Sequence, residues 1–462
     1  MRYIYSILYY LAVPFLLLRI GWRSMVHNKE YRVRWLQRFG FIPQVTAAKV
    51  IWVHAVSMGE TLAAVPLVRA LLKNYPEYQI VITSTTPTGA AQVIKNFGQQ
   101  VISINTPYDL PGSVQRFLDR THPNIGIILE TELWPNLLFA CSKRNLPLML
   151  ANARLSERSC RGYRRIASLT QQMVNTFKVV AAQGELDGQR YLSLGLDSDK
   201  LKVCGNIKFD IQLPADLELR GRKLREELGS NRPVWVAAST HEGEELVILK
   251  ALQNIRIKFP DVLLILVPRH PERFAKVGQI CINSGYRVAI RSLREPITSA
   301  TEILLGDTMG ELLLFYAAAD IAVVGGSFVP IGGHNLIEPA ILKIPVLTGP
   351  HLDNFVEISQ LLIKAGGAQV VSNAEELTTS LLNLLGNPAQ AEEMGQKGCH
   401  AVLANRGALS KHLTLISELI DKKCEPSQPP CEAVKLTPHA AETSAYLQVL
   451  HIPPKEDNTK PL

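Results

Sequence analysis

The apolar residues of this chain gather into short, nearly unbroken runs separated by amphipathic stretches, and that alternation sets the fold expectation. Val50 to Ala55 reads as a strand, and Ser57-Met58-Gly59-Glu60 leads from it into a helical stretch, Thr61 to Asn74. Tyr78 to Thr83 is the next strand, followed by Thr85 to Gly89 and another helix. Asn124 to Leu129, Pro147 to Ala151 and Lys178 to Ala182 add three more. A charged helix is expected over Leu219 to Leu228, bracketed by Pro214 and Gly229, and then the pattern restarts. Its strands are Pro233 to Ala238, Val262 to Val267, Glu302 to Leu305, Ile321 to Val324 and Pro345 to Leu347, with helices between. Buried strands alternating with helices predict parallel sheets covered on both faces. The expected fold class is therefore α/β: two Rossmann-like, doubly wound domains with a ligand cleft between them. No short tandem repeat interrupts the pattern, which excludes a solenoid.

The ends differ from the middle. Tyr3 to Leu18 is apolar, aromatic and free of charge, and Arg19, Arg23, Lys29, Arg32, Arg34 and Arg38 follow it. Arg19-Ile20-Gly21-Trp22 is not the small-residue site of a cleaved signal peptide. The run is marginally short for a membrane span, which wants about 20 apolar residues. A span or a helix lying in the bilayer surface are the two membrane readings, and a buried core helix is the third. A membrane anchor is the expectation, with the basic excess placing the main body on the cytoplasmic side. The expected division is 1–22 anchor, 23–210 first domain, 211–230 linker, 231–422 second domain and 423–462 tail. Prolines crowd that polar tail, and it is expected to be disordered.

Composition narrows the partners only a little. The chain is 47% hydrophobic and 19% charged, a globular balance, and its formal charge of +8 favours anionic ligands. Nucleic acid, phosphorylated lipids and nucleotide-activated acidic sugars all satisfy that sign. Seven scattered cysteines without a CxxC pair argue against a disulfide framework or a zinc site.

Candidate chemistry follows the strand ends. Gly325-Gly326-Ser327-Phe328 and Gly332-Gly333-His334-Asn335-Leu336-Ile337-Glu338 stand after a strand, with a helix expected to begin near Asn335. Glycines permit close backbone approach, the helix start suits a phosphate, and Glu338 suits a ribose diol. Pro268 and Arg269 end another strand, where a guanidinium fork fits phosphate and a solvated basic loop is the plain alternative. In Asp307-Thr308-Met309-Gly310-Glu311 a capping box between Asp307 or Thr308 and Glu311 is sufficient explanation by itself. Glu60 and Glu130 are carboxylates just after strands. Each suits a general base for a sugar hydroxyl or, more simply, a helix-dipole partner. Paired carboxylates also suit glycoside hydrolysis, and the sequence gives no separation to test it. Lys208 reads most simply as a surface lysine at an interdomain turn.

Taken together, HAVSMGE (54–60), TSTTPTG (83–89), ETELWPN (130–136), ANARLSERS (151–159), GNIKFD (205–210), ASTHEGEE (238–245), VPRHPER (267–273), GGSFVPIGGHNLIEPA (325–340) and GPHLDNF (349–355) resemble the Kdo (3-deoxy-D-manno-octulosonic acid) transferases of lipopolysaccharide synthesis. The resemblance runs in consistent order over roughly residues 1–422. It implies a GT-B architecture, a first domain that receives a lipid A precursor (lipid IVA), a second that holds the donor CMP-Kdo, and a terminal helix near Ser410 to Asp421 that crosses back. It implies Glu60 as general base, Glu130 and Lys208 as transition-state stabilisers, and CMP contacts from Pro268, Arg269, Met309, Gly310, Glu311, Asn335, Leu336, Ile337 and Glu338. It implies the cytoplasmic face of the bacterial inner membrane, no nucleic-acid partner, no cofactor and no catalytic metal; no DxD-like cluster is present. A transferase for another nucleotide sugar and a non-catalytic membrane-surface binding protein are the competing readings.

Overall fold

The structure, a computed structural model, describes residues 2–26 and 34–424. Lys29, Arg32 and, apart from Lys423 and Cys424, the proline-rich tail lie outside the described residues.

Two seven-stranded parallel sheets form the molecule. The first is ordered β3-β2-β1-β4-β5-β6-β7. Its strands are β1 (Val50–His54), β2 (Gln79–Ser84), β3 (Val101–Asn105), β4 (Ile125–Leu129), β5 (Leu148–Ala153), β6 (Val179–Ala182) and β7 (Leu201–Val203). The second is ordered β10-β11-β9-β8-β12-β13-β14. It contains β8 (Val234–Thr240), β9 (Leu263–Pro268), β10 (Val288–Ile290), β11 (Ile303–Leu305), β12 (Ile321–Val324), β13 (Val346–Thr348) and β14 (Ala368–Val370). Each order reverses direction at its centre, between β1 and β4 and between β8 and β12, and ligands of such sheets bind beyond the strand ends there.

The central strands are solid apolar runs because helices cover both sheet faces. Residues of β1, β4 and β8 alternate between two separate core clusters, one on each side of their sheet. Four strands that the apolar pattern did not mark, β3, β7, β10 and β14, are the sheet edges, where short, half-exposed segments such as Leu201-Lys202-Val203 carry polar residues.

Local chemistry fixes where the helices start. Ser57 caps α2 (Met58–Asn74), its hydroxyl accepting from the Glu60 N–H at 3.2 Å. Thr86 caps the helix Pro87–Phe97, with Pro87 in the first turn, where no amide hydrogen is needed. The helix Leu217–Leu228 lies within the expected linker and buries Leu217, Leu224 and Leu228 in the second core. The last helix, Ala408–Cys424, lays Ile416 and Ile420 into the core of the first sheet. Asp210 accepts from the Gly407 and Leu409 N–H groups at 2.7 Å each, and His412 Nε2 accepts from the Asn152 N–H at 2.9 Å. That helix therefore ties the two halves together.

The N-terminal helix α1 (Arg2–Val26) has two unlike faces. Ser6 is buried and donates to Asn136 Oδ1 at 3.0 Å, and Tyr5 hydrogen-bonds the buried Asp109. Tyr3, Ile4, Ile7, Leu8, Leu11, Phe15 and Leu18 are all exposed, Tyr3 at 78% and Phe15 at 73%, so α1 is not a buried core helix. No helix among the described residues is long and apolar enough to cross a membrane. One expected member of the basic cluster is not at the surface: Arg38 is buried, donating to the Thr85 carbonyl at 2.7 Å and stacking over Tyr108.

Candidate active site

A cleft of about 770 Å³ opens where the two switch points face each other. Ser57–Glu60, Glu130, Arg154 and Lys208 line it from the first half; Ser239, Arg269, Gly333, His334, Asn335 and Glu338 line it from the second. Most follow β1, β4, β8, β9 or β12, the strands at or next to the two switch points.

Glu60 is held in a closed frame. Its Oε2 accepts from the Val56 N–H and its Oε1 from the Ser57 hydroxyl, both at 2.7 Å. Burial is the main cause that raises its pKa above the ordinary carboxylate value; the nearby charge of Glu130 adds to this, and the hydrogen bonds oppose it. Glu130 occupies a left-handed backbone conformation, φ 56°, which is costly for a residue with a side chain and turns it out of β4. Its Oε1 stands 3.3 Å from Lys208 Nζ. Lys208 is thus not a free surface lysine: it is largely buried, paired across the site, and close to the ring of Phe355 from the other half.

A third carboxylate, Glu132, stands in the polar segment Glu130-Thr131-Glu132 that follows β4 but is given no role of its own by the sequence. Glu132 accepts from Trp134 Nε1 at 2.6 Å, and its pKa is pushed up to about 7, first by burial and then by the charge of Glu60. Its signal was present, a second glutamate in Glu130-Thr131-Glu132, but burial decides its character and burial is not readable from spacing.

In the second half, the Arg269 backbone N–H donates to the Thr240 carbonyl, and its guanidinium has no hydrogen-bond or ion-pair partner among the described residues. An unpaired cation beside Asn335 and Glu338 is a ready anion site. Burial raises the Glu338 pKa, while a hydrogen bond from Asn335 Nδ2 at 3.2 Å and the charge of Arg269 hold it down. His334 and His241 share an Nε2–Nε2 hydrogen bond of 2.9 Å between nearly coplanar rings. Burial, followed by the charge of Arg269, lowers the His334 pKa to about 3, so the pair is neutral at neutral pH.

Three local expectations are corrected. The N–H groups of the glycine loop are not open to a phosphate, because the fully buried Glu244 carboxylate accepts from Gly326, Ser327 and Phe328, and also from His241. The helix expected near Asn335 starts at Ile337, runs only to Ile341, and has one of its free N–H groups taken by Asn335 Oδ1. It is too short for a useful dipole, and Leu336 and Ile337 are buried in the core rather than lining the cleft. The capping box at 307–311 forms only in part: the Thr308 hydroxyl donates to the Glu311 carboxylate, which Arg291 also meets at 2.9 Å, Asp307 accepts from the Ser292 N–H, and no side chain caps a backbone N–H of the helix that follows. Met309, Gly310 and Glu311 sit next to the cleft residue Leu312 without lining the cleft themselves, and Pro268 ends β9 beside Arg269. Among the described residues no group of three or more His, Cys, Asp or Glu side chains is placed to hold a metal ion.

Two parallel doubly wound sheets with a charged cleft between their switch points define a GT-B-like architecture. A glycosyltransferase from Rickettsia africae has the same fold, with a TM-score of 0.51 at 17% identity, over 81% of this chain and 99% of that one. The family model described as 3-Deoxy-D-manno-octulosonic-acid transferase (kdotransferase) matches residues 33–211. The 3-deoxy-D-manno-octulosonic acid transferase of Haemophilus influenzae is 41% identical over 424 residues, 91% of this chain and 99% of that protein. The Bordetella pertussis protein of the same name is 38% identical over 382 residues, 80% of this chain and 87% of that one. The chain belongs to the 3-deoxy-D-manno-octulosonic acid transferase family.

Proposed function

We propose that the enzyme moves Kdo from CMP-Kdo onto a hydroxyl of a lipid A precursor, with Glu60 as the base. The observation that carries this reading is the opposition, across one cleft, of a framed carboxylate with a raised pKa (Glu60) and an unpaired guanidinium (Arg269). Glu60 takes the proton of the acceptor hydroxyl as its oxygen forms a bond to the anomeric carbon. The bond from that carbon to the phosphate oxygen breaks, and CMP departs from the opposite face, so the configuration inverts. Arg269 meets the charge growing on the phosphate, and Glu338 and Asn335 suit the ribose. Lys208, poised against Glu130, supplies positive potential near the sugar, whose own carboxylate is the natural counterpart. Pro268 and the 309–311 loop border the nucleotide, with Leu336 and Ile337 acting from behind as packing.

The exposed apolar stripe of α1 supports an interfacial membrane helix rather than a span. Trp35, Leu36 and Phe41 are also exposed, and the adjoining Phe39 packs on Tyr108, which in turn touches Tyr9 of α1. The body then rests on the cytoplasmic face of the inner membrane, where a lipid acceptor is reached without leaving the bilayer.

The test is release of the nucleotide leaving group from each of a panel of nucleotide sugars in the presence of the lipid acceptor. The reading predicts turnover with CMP-Kdo alone, and a loss of about a hundredfold in kcat/KM for Arg269→Ala, the cost of a charge-assisted contact to the leaving phosphate. Turnover with a different donor, or an unchanged Arg269→Ala enzyme, would remove it.

A further inference from the structure

His241 and His334 take no part in the transfer as described, yet they form one unit above the centre of the second sheet. His241 directly follows β8, and His334 stands in the loop after β12, 93 residues further on; these two strands are neighbours at the switch point. The Nε2 atoms of the rings are 2.9 Å apart, the ring planes differ by 14° and the ring centroids are 5.1 Å apart. With the centroids so much further apart than the facing nitrogens, the rings meet end to end, in the geometry of an N–H···N bond, instead of overlapping.

The fold is shaped around this meeting. Glu244 Oε2 accepts from the N–H groups of both His241 and Gly326. The Gly333 N–H donates to the Gly326 carbonyl at 2.7 Å, which fixes the approach to His334. A Cβ on Gly326 would lie 2.8 Å from His334 Nε2 and 3.5 Å from His241 Cδ2, so only a hydrogen fits beneath the joint.

The two ends of the pair face different surroundings. His334 lines the cleft together with Arg269, Asn335 and Glu338. Thr240 pairs with Pro268 across the sheet, and the Arg269 N–H donates to the Thr240 carbonyl at 3.0 Å, which sets Arg269 beside His241. His241 itself does not line the cleft; its ring meets that of the exposed His270 edge-on, with centroids 5.2 Å apart. Neither Nδ1 has a hydrogen-bond partner among the described residues, and neither is sealed from solvent.

A neutral pair joined through its Nε2 atoms carries one hydrogen between the rings, one on an outer Nδ1, and a bare nitrogen at the opposite end. It can pass a proton from end to end without holding a charge. The surroundings favour passage over storage. Burial, then the charge of Arg269, lowers the His334 pKa; burial lowers that of His241, with Glu244 opposing and His270, Arg273 and Arg269 adding to it.

We propose that His334 gives a proton from Nδ1 to the phosphate of the departing CMP, and that His241 resupplies it from solvent through the shared Nε2 hydrogen. The proposal rests on the reading of the donor as CMP-Kdo with its phosphate at Arg269. As the bond from the anomeric carbon breaks, its electron pair stays on the phosphate oxygen, and the phosphate takes the His334 Nδ1 proton. His334 Nε2 takes the hydrogen between the rings, and His241 Nδ1 takes one from water. Glu60, protonated by the acceptor hydroxyl, returns its proton to solvent, so protons balance. Once CMP has left, the pair resets through the same nitrogens. His334 is then a catalytic residue and His241, which touches no substrate, a positioning one.

Single-turnover transfer by the full chain, with CMP-Kdo and the lipid acceptor in detergent micelles, is timed in mixtures of H2O and D2O. His334→Gln and His241→Gln are timed beside wild type, and thermal unfolding of each shows that the fold is intact. The expected wild-type rate curves with deuterium fraction, because hydrogens move at Glu60 and along the pair in one step. Each variant gives a straight line, from Glu60 alone, and a rate lower by about a hundredfold. CMP affinity by calorimetry stays near wild type, because glutamine at 334 still donates an N–H to the phosphate. A straight wild-type line overturns the proposal without recourse to any variant. A wild-type rate in either variant also overturns it, as does a slowed variant that keeps the curvature, which assigns the pair to packing. Absence of any Kdo transfer by the wild type refutes instead the donor reading on which the proposal stands.

Discussion

Replacing Glu244 by glutamine removes one negative charge and almost no volume, yet it should unfasten the second half of the active site. Glu244 is fully buried, and its two oxygens accept four backbone N–H groups: His241 at 2.8 Å and Gly326 at 2.7 Å on Oε2, Ser327 at 3.0 Å and Phe328 at 2.9 Å on Oε1. A glutamine offers one acceptor oxygen. Its amide nitrogen must face two N–H donors, so two charge-assisted hydrogen bonds are lost and two buried donors are left unmet. At about 1.5–3 kcal/mol per bond, the cost is about 3–6 kcal/mol. For a domain of this size 1 kcal/mol moves the melting temperature by about 2–4 °C, so a fall of roughly 10 °C is expected in a thermal melt followed by circular dichroism. CMP affinity, measured by titration calorimetry well below the new midpoint, should fall as well, because the same carboxylate holds His241 against His334 next to Arg269 and Asn335. A variant that melts within about 2 °C of wild type and binds CMP equally well would show that the loop is held by something other than this carboxylate.

Other consequences follow from the same geometry. Gly326 has φ 67°, and a Cβ there would lie 2.8 Å from the His334 ring, so Gly326→Ala should break the His241–His334 bond and weaken CMP binding about tenfold or more; unchanged binding would count against a role for the pair. Glu132 titrates at about 7, raised by burial and by Glu60, so Glu132→Gln should remove an ionisation near pH 7 from the kcat/KM profile. The acid limb set by Glu60 should remain, with activity falling as pH drops and the base is protonated; loss of both features together would contradict the assignment. Leu8, Leu11 and Phe15 are exposed on α1, and replacing all three by glutamate should lower partitioning to anionic vesicles by more than about a hundredfold, at roughly 2 kcal/mol of apolar burial per residue. Co-sedimentation measures it, and equal partitioning would place the membrane contact elsewhere.

The buried strands were legible because a parallel strand covered on both faces must be apolar throughout, as Ile125-Gly126-Ile127-Ile128-Leu129 is. The edge strands were not, since Lys202 and Gln369 sit in segments covered on one side only. The positions of Glu60, Glu130 and Arg269 at the cleft were legible because Glu130 and Arg269 directly follow strands and Glu60 sits in the first turn of the helix after one, where the fold delivers side chains to a ligand. Partnerships across the fold were not. Lys208 meets Glu130 across 78 residues of sequence, and Glu244 meets Gly326 across 82. No local pattern marks either meeting. At 307–311 the local half of the pattern forms, the Thr308 hydroxyl donating to Glu311, but a distant arginine, Arg291, shares that carboxylate, and no sequence spacing marks it.

The most direct measurement incubates the purified full chain with CMP-Kdo and the tetraacylated lipid A precursor in the presence of EDTA, and weighs the acceptor by mass spectrometry beside a Glu60→Gln control. The account predicts an acceptor heavier by one or more Kdo units with the wild type and almost none with the variant, because glutamine cannot accept the hydroxyl proton. An unchanged acceptor mass with folded wild-type enzyme, or equal product from the Glu60→Gln protein, would contradict it.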